Sequence, residues 1–189
     1  MAVFFTADPH FGHANIIKYS NRPFATVEEM DRAIIDRWNA KVSAIDTLYC
    51  LGDWCLWKGR KKIGDVAAAY REHINCGTIV LLWGNHDKKG RKDESFQQNF
   101  AGVHDLLEIE IAGQLLVLCH YAMRVWNKSH HGAFHLYGHS HGSLPDDPVA
   151  RSFDCGVDCF DFNPVSMDEV AAIMAKKQWK PVDHHGAED

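Results

Sequence analysis

Thirteen of the 189 residues are histidines, and several stand where chemistry is expected. Five apolar, β-rich runs each stop at a side chain able to bind a metal. Ala7 is followed by Asp8-Pro9-His10, Leu51-Gly52 by Asp53, Trp83-Gly84 by Asn85-His86-Asp87, Cys119 by His120, and Tyr137-Gly138 by His139-Ser140-His141. In an open α/β sheet, ligands bind outside the carboxyl ends of the strands, so these groups are expected to converge. Glycine precedes the polar group at Gly52, Gly84 and Gly138, which suits tight turns and close backbone approach. A single His or Asp after a strand is more often a cap or turn residue. Five at five strand ends are not independent accidents, and they supply more donors than one tetrahedral ion can use. The count predicts two metals sharing a bridging carboxylate. Imidazole and oxygen donors with no thiolate required suit Mn²⁺, with Fe or Zn²⁺ as alternatives.

The elements that must position these groups are legible as short runs and periodic stretches. Residues 3–7, 47–51, 78–83, 115–119 and 134–137 have the length and composition of strands buried on both faces. Thr26-x-x-Glu29 is a capping box, and Val27, Met30, Ile34 and Trp38 follow at helical spacing, predicting a helix over 26–40. Further helices are expected over 63–74, 93–100 and 167–176, the last opened by Ser166-x-x-Glu169. Residues 104–111 and 114–120 read as a hairpin turning at Ala112-Gly113. Strand and helix alternate early and strands dominate later, which predicts an α/β (α+β layered) sheet fold.

Size and composition predict one compact domain over 1–182 with a frayed tail over 183–189. A net charge of −5 gives no global basic footprint of the kind that drives non-specific nucleic-acid binding. No apolar run approaches the length of a membrane helix, and Asp8 interrupts the opening run before a secretory segment forms. A cytoplasmic protein is expected. The six cysteines include no Cys-x-x-Cys pair and read as reduced core thiols, with Cys155 and Cys159 given no assigned role.

Taken in order, Asp8-x-His10, Gly52-Asp53, Gly84-Asn85-His86-Asp87, His120 and Gly138-His139-x-His141 resemble the signature of the calcineurin-like metallophosphoesterases. Two longer stretches resemble a branch of small bacterial and phage phosphoesterases. These are Asp8-Pro9-His10-Phe11-Gly12-His13-x-Asn15-Ile16-Ile17 with Arg22-Pro23-Phe24, and Gly156-Val157-Asp158 before Asn163-Pro164-Val165. The likeness covers nearly the whole chain. It implies a four-layer αββα sandwich with a dimetal site at one edge. It also implies that Asp8, His10 and His141 hold one metal, that Asn85, His120 and His139 hold the other, and that Asp53 bridges both. His86 would face the substrate as a non-ligand that stabilises charge or protonates the leaving oxygen. The implied activity is hydrolysis of a phosphomonoester or phosphodiester of small or nucleotide-like type, through a hydroxide shared by the metals.

Two departures narrow this. Asp53 is followed by Trp54-Cys55-Leu56-Trp57-Lys58 rather than the Asp-Arg-Gly pattern of the protein Ser/Thr phosphatases, which disfavours a phosphoprotein substrate. No acidic partner for His86 is evident. Weaker candidates as substrate contacts are Asn85, alongside its expected ligand role, and His13 and Arg22, the last through its planar fork, with a turn role for His13 and a surface salt bridge for Arg22 as the alternatives. Trp54 and Trp57, with Arg60, Lys61 and Lys62 beyond them, suit either base stacking with anion steering or apolar lid packing beside a solvated helix start. His130 and His131 are candidates to line the cleft, and His184 and His185 read as solvent residues. The rival readings are a nuclease or nucleic-acid end-processing enzyme on the same metals, and a binding scaffold without catalysis. A scaffold is expected to have lost ligand histidines, and here every motif position is filled.

Overall fold

The structure, a computed structural model, describes residues 1–56 and 59–182. The expectations for Trp57, His184, His185 and the 183–189 tail lie outside the described residues. Two sheets form the frame. The first contains, in spatial order, β4 (Gly102–His104), β3 (Thr78–Leu82), β2 (Thr47–Cys50), β1 (Val3–Thr6) and β9 (Val165–Ser166). Within it β1 to β4 run parallel, and β9 is antiparallel to β1. The second contains β5 (Leu106–Ile111), β6 (Gln114–Cys119), β7 (Phe134–Tyr137) and β8 (Ser152–Asp154), with β5 antiparallel to β6 and the rest parallel. The helices are α1 (Ala14–Tyr19), α2 (Val27–Lys41), α3 (Ile63–Arg71), α4 (Glu94–Gln97) and α5 (Met167–Ala175).

Alternation along β1 shows how the layers stack, because successive side chains point to opposite faces. Phe4 enters a core with Ile16, Met30, Ile34 and Trp38, so α1 and α2 cover that face. Phe5 enters a second core with Leu116, Leu118 and Leu136, so the other face meets the second sheet. Burial on both faces explains why these strands read as unbroken apolar runs. In β7, Phe134 and Leu136 belong to the inter-sheet core, while His135 lies under irregular chain. There His135 Nε2 accepts the Met123 N–H at 3.2 Å, and the Trp126 ring stands 5.2 Å away. Helix α2 starts where the sequence signals it, with Thr26 Oγ1 accepting the Glu29 N–H. Helix α5 opens on the reciprocal Ser166–Glu169 capping box and adds Val170 and Met174 to the inter-sheet core.

One expectation is corrected. Residues 104–111 are not one strand: Gly102–His104 pairs parallel to β3, and Leu106–Ile111 pairs antiparallel to β6 in the other sheet. Val103 packs against the helix-side core, whereas Leu107, Ile109 and Ile111 pack against the inter-sheet core. No glycine or proline stands between Val103 and Ile111 to mark a turn at Asp105, so the sequence conceals the crossing between sheets. Helix α1 also went unforeseen; its N-cap, His13, makes no side-chain cap bond and so leaves no capping signature. Among the described residues, no helix is long and apolar enough to cross a membrane.

Candidate metal centre

The chain turns sharply as it leaves three of the ligand-bearing strands, β1, β2 and β7. Asp8, His10, Asp53, His139 and His141 all have positive φ, between 49° and 68°. For non-glycine residues this left-handed backbone costs of order 1–3 kcal/mol each and persists only where the surroundings over-determine it. Here it turns five side chains toward a common point. Glycine makes the close approach possible. A Cβ on Gly84 would lie 2.0 Å from Asp53 Oδ1, and one on Gly138 would lie 2.5 Å from Asp8 Oδ2.

The donors collect in groups able to hold metal ions: Asp8 with His10 and His141, and Asp8 with Asp53 and His120. His10 Nε2 lies 3.5 Å from Asp53 Oδ2 and 3.9 Å from Asp8 Oδ1. His120 Nε2 lies 3.7 Å from Asp53 Oδ2 and 3.0 Å from Asn85 Oδ1, and the same Asn85 oxygen is 2.9 Å from His139 Nδ1. Asp53 thus stands between the two sets.

Second partners fix the tautomers. His120 Nδ1–H donates to the Leu51 carbonyl at 2.7 Å, which leaves Nε2 as a lone pair. His141 Nδ1–H donates to Asp158 Oδ2 at 2.7 Å. Metal-bound imidazoles are held in this way, through their other nitrogen. Burial holds both His10 and His120 below the usual imidazole range, so these rings stay neutral and able to ligate. The His120 lone pair therefore faces an Asn85 carbonyl oxygen, and two acceptors at that distance call for a cation between them. Asp8 Oδ1 and His10 Nε2 are both buried with no hydrogen-bond partner, a costly state that a metal ion would relieve. Burial and the neighbouring Asp53 carboxylate hold Asp8 well above the usual carboxylate range. The donor set fits two divalent cations and includes no thiolate.

A further layer was not legible in the sequence. Asp158 accepts two hydrogen bonds from Arg22, from Nε and Nη2, both at 2.8 Å, as well as the one from His141. Burial would raise the Asp158 carboxyl, but the bonds from His141 and Arg22 outweigh it and hold it low. Arg22 also donates to the carbonyls of Asp8 at 2.7 Å and Pro9 at 3.0 Å, and its side chain is fully buried. The expectation that Arg22 contacts substrate is therefore corrected. Its fork is engaged beneath the site, joining the His141 partner to the turn that carries Asp8 and His10. Replacing Asp158 by Asn keeps the shape and removes the charge. It is expected to weaken binding of one of the two metals about 10- to 100-fold, measured by metal titration, while two unchanged affinities would remove Asp158 from the site.

Asp87 does not orient His86. Its carboxylate accepts the backbone N–H groups of Asp53 at 2.8 Å, Gly84 at 2.9 Å and Trp54 at 3.1 Å, tying the β2 and β3 exits together. Burial and Asp53 push it up to about 7 despite those bonds. His86 is exposed, donates its backbone N–H to Asp53 Oδ1 at 2.8 Å, and places its ring 5.2 Å from that of His10. His13 is buried, with Nδ1 3.5 Å from His10 Nδ1; it backs the His10 ring. Trp54 is fully buried against Phe11, Trp38 and Phe100, which is the apolar packing alternative. His130 and His131 lie on the short turn Ser129–His131, their rings 4.2 Å apart, and neither joins the groups of metal donors. Cys155 is buried and Cys159 exposed.

No protein-family model matches the chain. Among solved structures, the protein of unknown function AQ665 from Aquifex aeolicus superposes with a TM-score of 0.66 at 20% identity, over 91% of this chain and 98% of that one. The two share a fold. A novel archaeal phosphodiesterase (TM-score 0.49, 16% identity, 82% of each chain) and the Pseudomonas putida nuclease MPE (0.48, 24%, 74% of this chain and 60% of that one) are more distant. In sequence, the uncharacterized protein MJ1445 of Methanocaldococcus jannaschii is 34% identical over 179 residues, spanning 92% of both chains. The chain belongs to the same family as MJ1445.

Proposed function

We propose that this protein is a dimetal phosphoester hydrolase of the calcineurin-like metallophosphoesterase type. The observation that carries the reading is the unpaired donor set on both sides of Asp53: Asp8 Oδ1 and His10 Nε2 buried without partners, and the His120 lone pair facing Asn85 Oδ1. Asp8, His10 and His141 would hold one cation, Asn85, His120 and His139 the other, and Asp53 both. When bound, such ions lower the pKa of water and polarise phosphoryl oxygens.

The chain's own residues do the rest. His86, outside the ligand set and open to solvent, is placed to meet the leaving oxygen or a phosphoryl oxygen. Asp87 and Arg22 keep the turns in register, and Asp158 keeps His141 aimed. A four-layer αββα sandwich belongs to the same reading. The helices beside β1 and the two sheets supply three layers, and the chain over the outer face of the second sheet stands where the fourth would be.

Metal replacement tests the assignment. Protein stripped by a chelator is expected to regain hydrolysis of phosphomonoester or phosphodiester substrates with Mn²⁺, at about two ions per chain. Mg²⁺ alone should restore less, because it prefers oxygen donors and keeps its waters. Full activity on Mg²⁺ with no response to Mn²⁺ would overturn the imidazole-rich assignment, and no hydrolysis with any divalent ion would overturn the enzyme.

A further inference from the structure

The net charge of −5 hides an uneven distribution. Two segments far apart in sequence, 59–63 and 88–93, meet around a depression of about 510 Å³ lined by Lys61, Lys88, Lys89 and Lys92. Asp93 is the one acid in that lining, so four lysines face a single carboxylate, whose Oδ1 caps the start of α4. Segment 88–93 continues directly from the turn that carries Asn85 and His86. Lys88 follows His86 by two residues, so their Cα atoms are at most about 7.6 Å apart, and the His86 ring is 5.2 Å from that of His10.

Exposed aromatic rings flank the ligands at two ends. Tyr121, 46% exposed, lies 4.9 Å from both His120 and His139. Tyr19, 73% exposed, lies 6.3 Å from His13, which backs His10.

A monoester presents one phosphate, and two cations would already hold it, leaving Lys61, Lys88 and Lys92 without a part in its binding. A chain of phosphates uses both features. Resting on the hydrolase reading above, we infer that the substrate is a single-stranded oligonucleotide. The scissile phosphodiester sits at the ligand set, adjacent phosphates lie along Lys61, Lys88 and Lys92, and bases stack on Tyr121 and Tyr19. A basic groove with stacking platforms is how proteins grip single strands. In the reaction, water adds to phosphorus and the P–O bond to the leaving sugar oxygen breaks. That oxygen takes up the proton that water releases.

Binding is measured first without catalysis, by fluorescence anisotropy of a labelled single-stranded DNA of about twelve nucleotides on the full chain in chelator. Affinity should fall with salt, and the triple variant Lys61→Ala/Lys88→Ala/Lys92→Ala should reduce the log–log salt slope by about 2, at roughly 0.7 per phosphate contact. Tyr121→Ala should weaken binding about 5- to 100-fold at unchanged slope. With Mn²⁺ restored, kcat/KM should rise from a dinucleotide to a hexanucleotide. Absence of binding, a salt slope untouched by the triple variant, equal affinity for a duplex, or kcat/KM independent of length would each overturn the inference. Hydrolysis of a small chromogenic diester without length dependence overturns this inference alone. Failure to hydrolyse any ester overturns the hydrolase reading, and the metal-free binding result still decides the surface.

Discussion

Asp53→Asn is expected to empty both metal positions and abolish turnover while leaving the protein folded. Asp53 Oδ1 accepts the His86 N–H, and Oδ2 lies 3.5 Å from His10 Nε2 and 3.7 Å from His120 Nε2. An asparagine that keeps its oxygen toward the His86 N–H must turn its NH₂ toward the metal positions, where a donor replaces an anion. The loss strikes the pair because Asp53 Oδ2 lies within 3.7 Å of a donor nitrogen from each set. The metal-free protein should meanwhile melt no lower than wild type, since the change removes one of several neighbouring carboxylates, including Asp8 and Asp87. Metal content and thermal melting with and without Mn²⁺ check both halves. A variant with two metals and near-normal rate would end the bridging assignment.

His86→Ala should instead keep both metals and cost only rate. Its contribution to Asp53 is a backbone N–H, which alanine retains, while the exposed ring is lost. If the ring protonates the leaving oxygen, the rate should fall by about 10²–10⁴, and unequally. An alkyl or ribosyl oxygen needs the proton and should suffer most, whereas an aryl ester leaves as a stabilised phenolate and should suffer less. Equal losses on the two substrates would place the ring on the phosphoryl oxygens as an electrostatic group. Loss of metal in the variant would make His86 a ligand.

That Asp8, His10, Asp53, Asn85, His120, His139 and His141 come together was legible because each follows a strongly apolar run, and parallel strands deliver their carboxyl ends to one edge of a sheet. The capped helices α2 and α5 were legible for a similar reason: Thr26 and Ser166 bond to residues three positions away, and such local bonds are written in local spacing. What the tertiary structure decided is the long-range part. Arg22 meets Asp158 across 136 positions, and that pairing turns an apparent phosphate contact into a support beneath the site. Asp87 is drawn from its neighbour His86 to backbone groups around Asp53. The crossing between sheets at Asp105 is hidden because no glycine or proline marks a turn there, and which sheet each segment joins depends on partners far along the chain. The basic depression exists only because residues 59–63 and 88–93 fold together, which a net charge summed over the chain cannot reveal. Periodicity and capping act over a few residues and survive in one dimension, whereas charge pairing and burial depend on distances that only the folded chain sets.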